Sequence, residues 1–246
     1  MQKFSVQQYT FRPLSNQLGL IPMLEKIAAM GYTGVELCCF GGFDSLEMSA
    51  AAFRRQLEAL GIEVVGNHFT REMFLGDHEE AFSYIAEAGG RYAVYNIWAP
   101  YDSADQVRRA AEYLNELSRI TQRCGITLAY HNHAAEFATI DGKFIIDLLD
   151  QHLDPQVCFE TDVYFARQQI DDVCAYLKQN CHRVRLVHLK QMAPDGSNTD
   201  LPDGIIDMTA VVQSASTATD FILEQSTFPV SIQESLQRNA DFLKQL

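Results

Sequence analysis

The apolar positions of this chain change repeatedly between two spacings. Runs with an apolar residue at every third or fourth position, such as Phe53, Leu57 and Leu60, are typical of a helix with one buried face. Short apolar stretches, such as residues 92–95, follow these runs and are typical of buried strands. The pattern therefore predicts helices that alternate with strands.

A glycine separates the helix from the strand in several of these units. Gly31, Gly61 and Gly125 each end a helical run shortly before an apolar stretch, and Gly89 precedes another. Glycine is the usual residue at the left-handed position that ends a helix. These glycines therefore mark the same helix-to-strand junction in successive units.

The units are numerous enough to predict the fold. Eight strand candidates start near Lys3, Gly34, Ile62, Tyr92, Ile126, Val157, Val184 and Asp220. Their spacing of roughly thirty residues matches a closed barrel of ~250 residues. Strands that alternate with helices pair in parallel, because each return requires a crossover. With no linker composition in the chain, we expect an α/β fold, a single-domain (β/α)₈ TIM barrel over residues 1–246.

Composition limits which binding partners and which cellular compartment are expected. The net charge of −13 argues against a nucleic-acid partner, which needs a basic surface. No apolar run approaches the ~18 residues of a membrane span, so no membrane partner is expected. The first residues lead directly into a strand pattern without a signal peptide, and the six cysteines show no CxxC spacing. We expect a cytoplasmic protein.

Three successive strands end in residues that ligate metals. Glu160 and Asp162 lie on one face of a strand, where unpaired carboxylates would be costly to bury. The next strand ends with His188 and Lys190, and the last with Glu224. Active sites of (β/α)₈ barrels lie at these carboxyl ends. Asp162, His188 and Glu224 therefore form a candidate metal-ligand set.

Five short motifs in order carry a family resemblance. They are Val-Gln-Gln-Tyr-Thr-Phe-Arg at 6–12, Tyr-His-Asn-His-Ala-Ala-Glu-Phe at 130–137, Glu-Thr-Asp-Val-Tyr-Phe at 160–165, Val-His-Leu-Lys-Gln at 187–191 and Ile-Leu-Glu-Gln-Ser at 222–226. Together they resemble the sugar phosphate isomerase/epimerase superfamily, the xylose isomerase-like TIM barrels. Phe165 and Gln191 depart from the family pattern, which has Trp and Asp there.

The resemblance implies a divalent cation held by Glu136, Asp162, His188 and Glu224. Such a mostly oxygen site suits Mn²⁺, with Mg²⁺, Co²⁺ and Zn²⁺ as alternatives. Glu136 lies several residues past its strand, so His131 or His133 could take its place.

The resemblance also implies the chemistry. A cation that polarises a sugar carbonyl acidifies the neighbouring C–H and stabilises the resulting enediolate. Glu136 and Glu224 would then be the general acid/base pair, while Lys190 and His133 would stabilise the oxyanion or protonate a leaving hydroxyl. The expected enzyme is a metal-dependent isomerase or epimerase of a ketose or keto-sugar.

Further polar and aromatic residues at the strand ends are expected to bind the substrate. They are Gln7, Tyr9, His68, Trp98 and His131. Trp98 could stack on a sugar ring or simply pack in the core. The irregular segment 192–204 is expected to cover the substrate.

Other functions remain open at this point. A lyase similar to inosose dehydratase or to enzymes of 3-keto-glycosides would begin with the same proton abstraction. An apurinic endonuclease shares the barrel, but it needs a further histidine on strand four, where this chain has residues Asn96-Ile97-Trp98. A barrel that has lost activity is a further alternative. The expected partner is a small sugar, and the resemblance implies a homodimer or homotetramer.

Overall fold

A computed structural model describes residues 3–40, 42–43, 46–97 and 101–246. Within these residues, eight parallel strands close into a barrel in the order β1-β12-β9-β8-β5-β4-β3-β2. The barrel strands are β1 Phe4–Gln7, β2 Gly34–Leu37, β3 Glu63–Thr70, β4 Tyr92–Asn96, β5 Thr127–His131, β8 Cys158–Asp162, β9 Val184–Leu189 and β12 Asp220–Leu223. The predicted TIM barrel is confirmed.

Helices surround the barrel, and two short hairpins extend from it. The helices are α1 Gln8–Leu18, α2 Leu20–Met30, α3 Ala50–Leu60, α4 His78–Glu87, α5 Ala104–Arg123, α6 Ile145–Asp150, α7 Val163–Arg167, α8 Val173–Gln179, α9 Met208–Ser214 and α10 Ile232–Leu243. The hairpins pair β6 Thr139–Ile140 with β7 Lys143–Phe144, and β10 Gln191–Met192 with β11 Asn198–Thr199. Among the described helices, none combines the length and the apolar character that crossing a membrane requires.

All four predicted helix-ending glycines, at 31, 61, 89 and 125, have the expected positive φ. Gly31 ends α2 with φ of 104°, and Gly61 ends α3 with φ of 70°. Their N–H groups bond to carbonyls of the last helical turn, at Ala28 and Glu58. The glycines therefore place β2 and β3 directly after their helices, as the sequence predicts.

The side chains inside the barrel change from apolar to polar between one inward-facing position of a strand and the next. Along five strands, an apolar interior residue is followed two positions later by a polar one: Val94 and Asn96, Ala129 and His131, Cys158 and Glu160, Leu186 and His188, Ile222 and Glu224. Because side chains alternate along a strand, each pair lies on the same face. The apolar members form the barrel floor, and the polar members lie towards the carboxyl ends.

The segment after β9 is an ordered structure rather than an irregular loop. Gln191 Nε2 donates to the carbonyls of Leu201 and Ile206 at 2.9 and 3.0 Å, and its Oε1 accepts from the backbone N–H groups of Met192 and Ile206. Asn198 Oδ1 accepts from the backbone N–H of Ser226 at 2.7 Å. These bonds anchor the β10–β11 hairpin beside the barrel opening.

Candidate functional site

A cavity of about 600 Å³ opens at the carboxyl ends of the barrel strands. Seven predicted site residues line it, namely Gln7, Tyr9, His68, His131, His133, Lys190 and Glu224. Four further residues of the wall were not singled out by the sequence, namely Phe40, Thr70, Glu72 and Met73. Trp98 lies outside the described residues.

Asp162 is fixed at the end of β8 with one oxygen uncommitted. Its Oδ1 accepts from the backbone N–H groups of Tyr164 and Phe165 at 2.8 and 3.0 Å, which caps α7. Its Oδ2 is buried and has no hydrogen-bond partner among the residues that the structure describes, and Lys190 Nζ lies 4.0 Å away. Burial raises the pKa of Asp162 to about 6, against the opposing charge of Lys190. A bound cation would stabilise this buried carboxylate oxygen.

His188 connects the upper part of the site with the layer beneath it. Its Nδ1 lies 2.7 Å from Glu224 Oε2, and its Nε2 lies 2.8 Å from Glu36 Oε2. Burial alone would lower the pKa of His188, but the carboxylates of Glu160 and Glu36 raise it well above its ordinary value. Both ring nitrogens therefore face carboxylates, and in a metal-bound histidine one such carboxylate holds the ring while the other nitrogen binds the cation.

Four residues bring ligand atoms together at this point. One atom each of His131, Asp162, His188 and Glu224 lies within 4.8 Å of the other three. The unpartnered Asp162 oxygen and the mixed nitrogen and oxygen donors fit a divalent cation. Three of these residues, Asp162, His188 and Glu224, are predicted ligands that the fold brings together.

Glu136, the fourth predicted ligand, is not a member of this group. Its Oε1 accepts from the Tyr130 hydroxyl at 2.7 Å, and its Oε2 accepts from the backbone N–H of His133 at 2.8 Å. Burial raises the pKa of Glu136 to about 7, although these two hydrogen bonds oppose the shift. The roles of Glu136 as ligand and proton carrier stay predictions.

Lys190 carries a buried positive charge at the cavity wall. Its Nζ donates to Glu224 Oε1 at 2.7 Å and lies 4.6 Å from the ring centre of Phe165 and 5.6 Å from that of Tyr164. Burial would lower the pKa of Lys190, but Glu224 and Asp162 raise it. The ammonium group is thus held between two carboxylates and two aromatic rings.

His133 is a neutral imidazole of the same wall. Its ring centre lies 5.0 Å from those of Phe165 and His131. Burial lowers the pKa of His133 to about 3, with the nearby His131 acting in the same direction. The cavity therefore combines a cationic donor at Lys190 with a neutral imidazole at His133.

A second polar group lies beneath the cavity, inside the barrel. His68 Nε2 lies 2.9 Å from Glu36 Oε2 and 2.8 Å from Glu160 Oε2, and His131 Nδ1 lies 2.9 Å from the same Glu160 oxygen. Burial would lower the pKa of His68, but Glu36 and Glu160 raise it to about 10. The predicted substrate-binding residue His68 thus faces the cavity while its Nε2 contacts two buried carboxylates.

Two of the predicted substrate-binding residues come from the first strand and helix. The Gln7 side chain caps α1 by accepting from the Tyr9 backbone N–H. The Arg12 guanidinium lies 4.6 Å from the centre of the Tyr9 ring. All three line the cavity.

Comparisons with known proteins agree on the family. The model of the xylose isomerase-like TIM barrels matches residues 24–246. An inosose dehydratase from Halalkalibacterium halodurans is 23% identical over 197 residues, which are 70% of this chain and 62% of that protein. The chain thus matches less than two thirds of the length of this relative.

Two solved structures extend the comparison to the whole fold. A sugar phosphate isomerase/epimerase from Parabacteroides distasonis superposes with a TM-score of 0.83 at 20% identity, covering 99% of this chain and 93% of the other. The protein IolI, solved with a bound zinc atom, gives a TM-score of 0.77 at 14% identity and covers 99% and 97% of the two chains. At these identities the likeness establishes the fold.

Proposed function

Because the chain belongs to the family of xylose isomerase-like TIM barrels, we propose that it is a divalent-metal-dependent sugar isomerase or epimerase. Its substrate would be a ketose or keto-sugar, and the reaction would pass through an enediolate. One observation carries this proposal. Asp162, His188 and Glu224 converge beside a cavity of about 600 Å³ at the catalytic end of the barrel.

The donor set supports a bound cation. Asp162, His188 and Glu224 would hold it, and the buried Asp162 Oδ2 has no other hydrogen-bonding partner. When bound, the cation would act as a Lewis acid on the substrate carbonyl. Mn²⁺ is the ion that we propose, since it suits the carboxylate ligands of Asp162 and Glu224.

The cavity residues supply the proton transfers. Glu224 lines the cavity as an ionised carboxylate, because Lys190 lowers its pKa well below its ordinary value against the effect of burial. Its carboxylate would take the proton next to the carbonyl. Lys190 and His133 would donate to the oxygen on which negative charge develops. The cavity volume lies within the roughly 300–1,000 Å³ of small-molecule sites.

A second candidate is a carbon–oxygen lyase of inososes or 3-keto-glycosides. The similarity to an inosose dehydratase favours it. The same first step would apply, and the Lys190 ammonium could then protonate a departing hydroxyl or aglycone. The two reactions differ only in whether the carbanion is reprotonated or expels a neighbouring substituent.

Product analysis in D₂O tests both candidates. Metal-free and Mn²⁺-loaded protein would each be incubated with a panel of ketoses, inososes and 3-keto-glycosides. We expect a metal-dependent isomer of the substrate that is one mass unit heavier, because it carries one deuterium at the carbon next to the carbonyl. Loss of water or of an aglycone would establish the lyase instead. Absence of both exchange and product across the panel, with metal bound, would contradict the proposal.

The compartment and the assembly are proposals as well. The six cysteines are free thiols, as is usual in a reducing compartment, which supports a cytoplasmic location. A homodimer or homotetramer is proposed from the family resemblance.

A further inference from the structure

We propose that His131 is the fourth ligand of the cation, so that the centre has two histidines and two carboxylates: His131, Asp162, His188 and Glu224. Glu136 would not bind the cation and would instead hold the segment that carries His133. The inference rests on the proposed function only in assuming that a divalent cation binds at this place.

The first argument is the orientation of His131 at the end of β5. Its Nδ1 is paired with Glu160 Oε2 at 2.9 Å, so its Nε2 is the ring nitrogen left for the cavity that His131 lines. His188 has the same design, with Glu36 behind its Nε2 at 2.8 Å and its Nδ1 directed to Glu224. A carboxylate behind the ring fixes the tautomer and orientation of a metal-bound histidine.

The second argument is proximity. The ring centres of His131 and His188 lie 4.8 Å apart, and a nitrogen of His131 lies within 4.8 Å of ligand atoms of Asp162, His188 and Glu224. Among the described residues, no atom of Glu136 belongs to this group of ligand atoms.

The third argument is that both oxygens of Glu136 are already engaged. One accepts from the Tyr130 hydroxyl, which lies 3.0 Å from the Tyr101 hydroxyl, and the other accepts from the backbone N–H of His133. The last bond belongs to the cap of the 3₁₀ turn Ala134–Phe137. Moving Glu136 to the cation would leave two buried donors without this acceptor. Glu136 therefore acts on the site by positioning His133.

The proposed composition changes the expected metal preference. A site with one histidine and three carboxylates suits Mg²⁺ and Mn²⁺, whereas a second imidazole favours Zn²⁺, Co²⁺ and Mn²⁺ over Mg²⁺. Competition between Mg²⁺ and Co²⁺ on the metal-free chain therefore reports on the ligand set without any substrate.

The test is to count imidazole ligands in the Co²⁺-loaded full-length chain by X-ray absorption. Wild type, His131→Ala and Glu136→Gln would be compared, with circular dichroism of each metal-free protein as the folding control. Co²⁺ affinity would be measured by competition with a chelator. We expect two imidazoles in wild type and in Glu136→Gln, with equal Co²⁺ affinity. His131→Ala should bind Co²⁺ at least about 100-fold more weakly, since even groups behind metal ligands are worth 10–100-fold.

The positioning role of Glu136 has its own readout. With a substrate found in the panel above, Glu136→Gln should lower kcat while leaving Co²⁺ affinity unchanged, because the amide offers one acceptor oxygen to the two donors of Tyr130 and His133 while the ligands stay. Glu136→Asp, which keeps a carboxylate acceptor, should recover part of the lost kcat. Loss of Co²⁺ binding in Glu136→Gln would overturn the proposal.

The number of imidazole ligands in the X-ray absorption spectrum of wild type tests the proposal even if His131→Ala fails to fold. A single imidazole in wild type would overturn this inference and leave the proposed metal enzyme intact. No bound Co²⁺ in the folded wild type would overturn both.

Discussion

The ammonium group of Lys190 lies 2.7 Å from Glu224 Oε1, within a site where both side chains are removed from bulk water. Lys190 follows β9 and Glu224 follows β12, which are neighbouring strands of the barrel. The pair keeps Glu224 ionised, because the charge of Lys190 lowers its pKa against the effect of burial. Lys190 therefore stabilises the ionised form of Glu224.

Replacing Lys190 by Met should lower kcat by about 100-fold or more, since a positioned proton donor contributes 10²–10⁴-fold. The substitution also leaves Glu224 Oε1 without its cation. Steady-state kinetics would measure the change, and Lys178→Met, at an exposed position of α8, is the matched control. Full activity of Lys190→Met would remove Lys190 from the mechanism.

Glu224→Gln should abolish turnover while the barrel stays folded. An amide cannot take the substrate proton, and it is a poorer ligand than a carboxylate. Turnover and far-UV circular dichroism would be compared with Glu25→Gln, an exposed position of α2. Retained turnover in Glu224→Gln would show that another group takes the proton.

Glu136 should make the stability of the metal-free protein depend on pH. Burial raises its pKa from an ordinary 4.5 to about 7, so in this window the folded chain retains a proton that the unfolded chain releases. The contribution of Glu136 to stability is fully present below pH 4.5, its ordinary pKa. It is lost as the pH rises through about 7, its pKa in the folded chain. Glu136→Gln has no ionisable group at this position, so the stability of the variant does not fall for this reason.

The thermal unfolding midpoint of Glu136→Gln relative to wild type should therefore increase between about pH 5 and about pH 8. The measurement uses chelator-treated protein, so that release of a cation does not contribute. A difference that stays constant, or that falls with pH, would show that the buried carboxylate is not raised in pKa.

Gly204 should not accept a side chain, because a Cβ there would lie 2.2 Å from Cγ and Cδ of Gln191. Gly204→Ala should lower the free energy of unfolding by about 1–3 kcal/mol, the usual cost of overpacking. Gly142→Asn is the control, since its Cβ would meet no atom within 4 Å and Asn tolerates the positive φ. Chemical denaturation of both variants would measure the difference, and equal stability would show that Gln191 can move aside.

Most of the barrel follows from local sequence. The strand starts at Gly34, Tyr92, Val184 and Asp220 coincide with those predicted, because apolar runs mark all four and a helix-ending glycine precedes the first two. The alternation of side chains then places Asp162 and its neighbours at one end of the barrel. The cavity could be located without coordinates for this reason.

The hairpin after β9 could not be predicted. Its order depends on the hydrogen bonds that Gln191 makes to Leu201 and Ile206, up to fifteen residues further along the chain. Local composition, rich in Pro, Asp and Gly, indicates only an irregular segment. The spacing of apolar residues also does not predict that Gly19 separates α1 from α2.

The sequence leaves the fourth ligand open between Glu136, His131 and His133, and the contacts that separate them are not local. Glu136 lies in a 3₁₀ turn beyond β5, and its direction is set by Tyr130 and by the backbone of His133. The orientation of His131 depends on Glu160, which lies on the neighbouring strand β8. Neither contact has a signature in the local sequence.

Metal content tests the central claim most directly. Purified wild type and Asp162→Ala, each loaded with Mn²⁺ and then desalted, would be compared by elemental analysis. We expect roughly one equivalent per chain in wild type and little in the variant, because Asp162 offers a buried oxygen without another hydrogen-bond partner. A folded wild type that retains no Mn²⁺, Mg²⁺, Co²⁺ or Zn²⁺ would contradict the proposed metal-dependent enzyme.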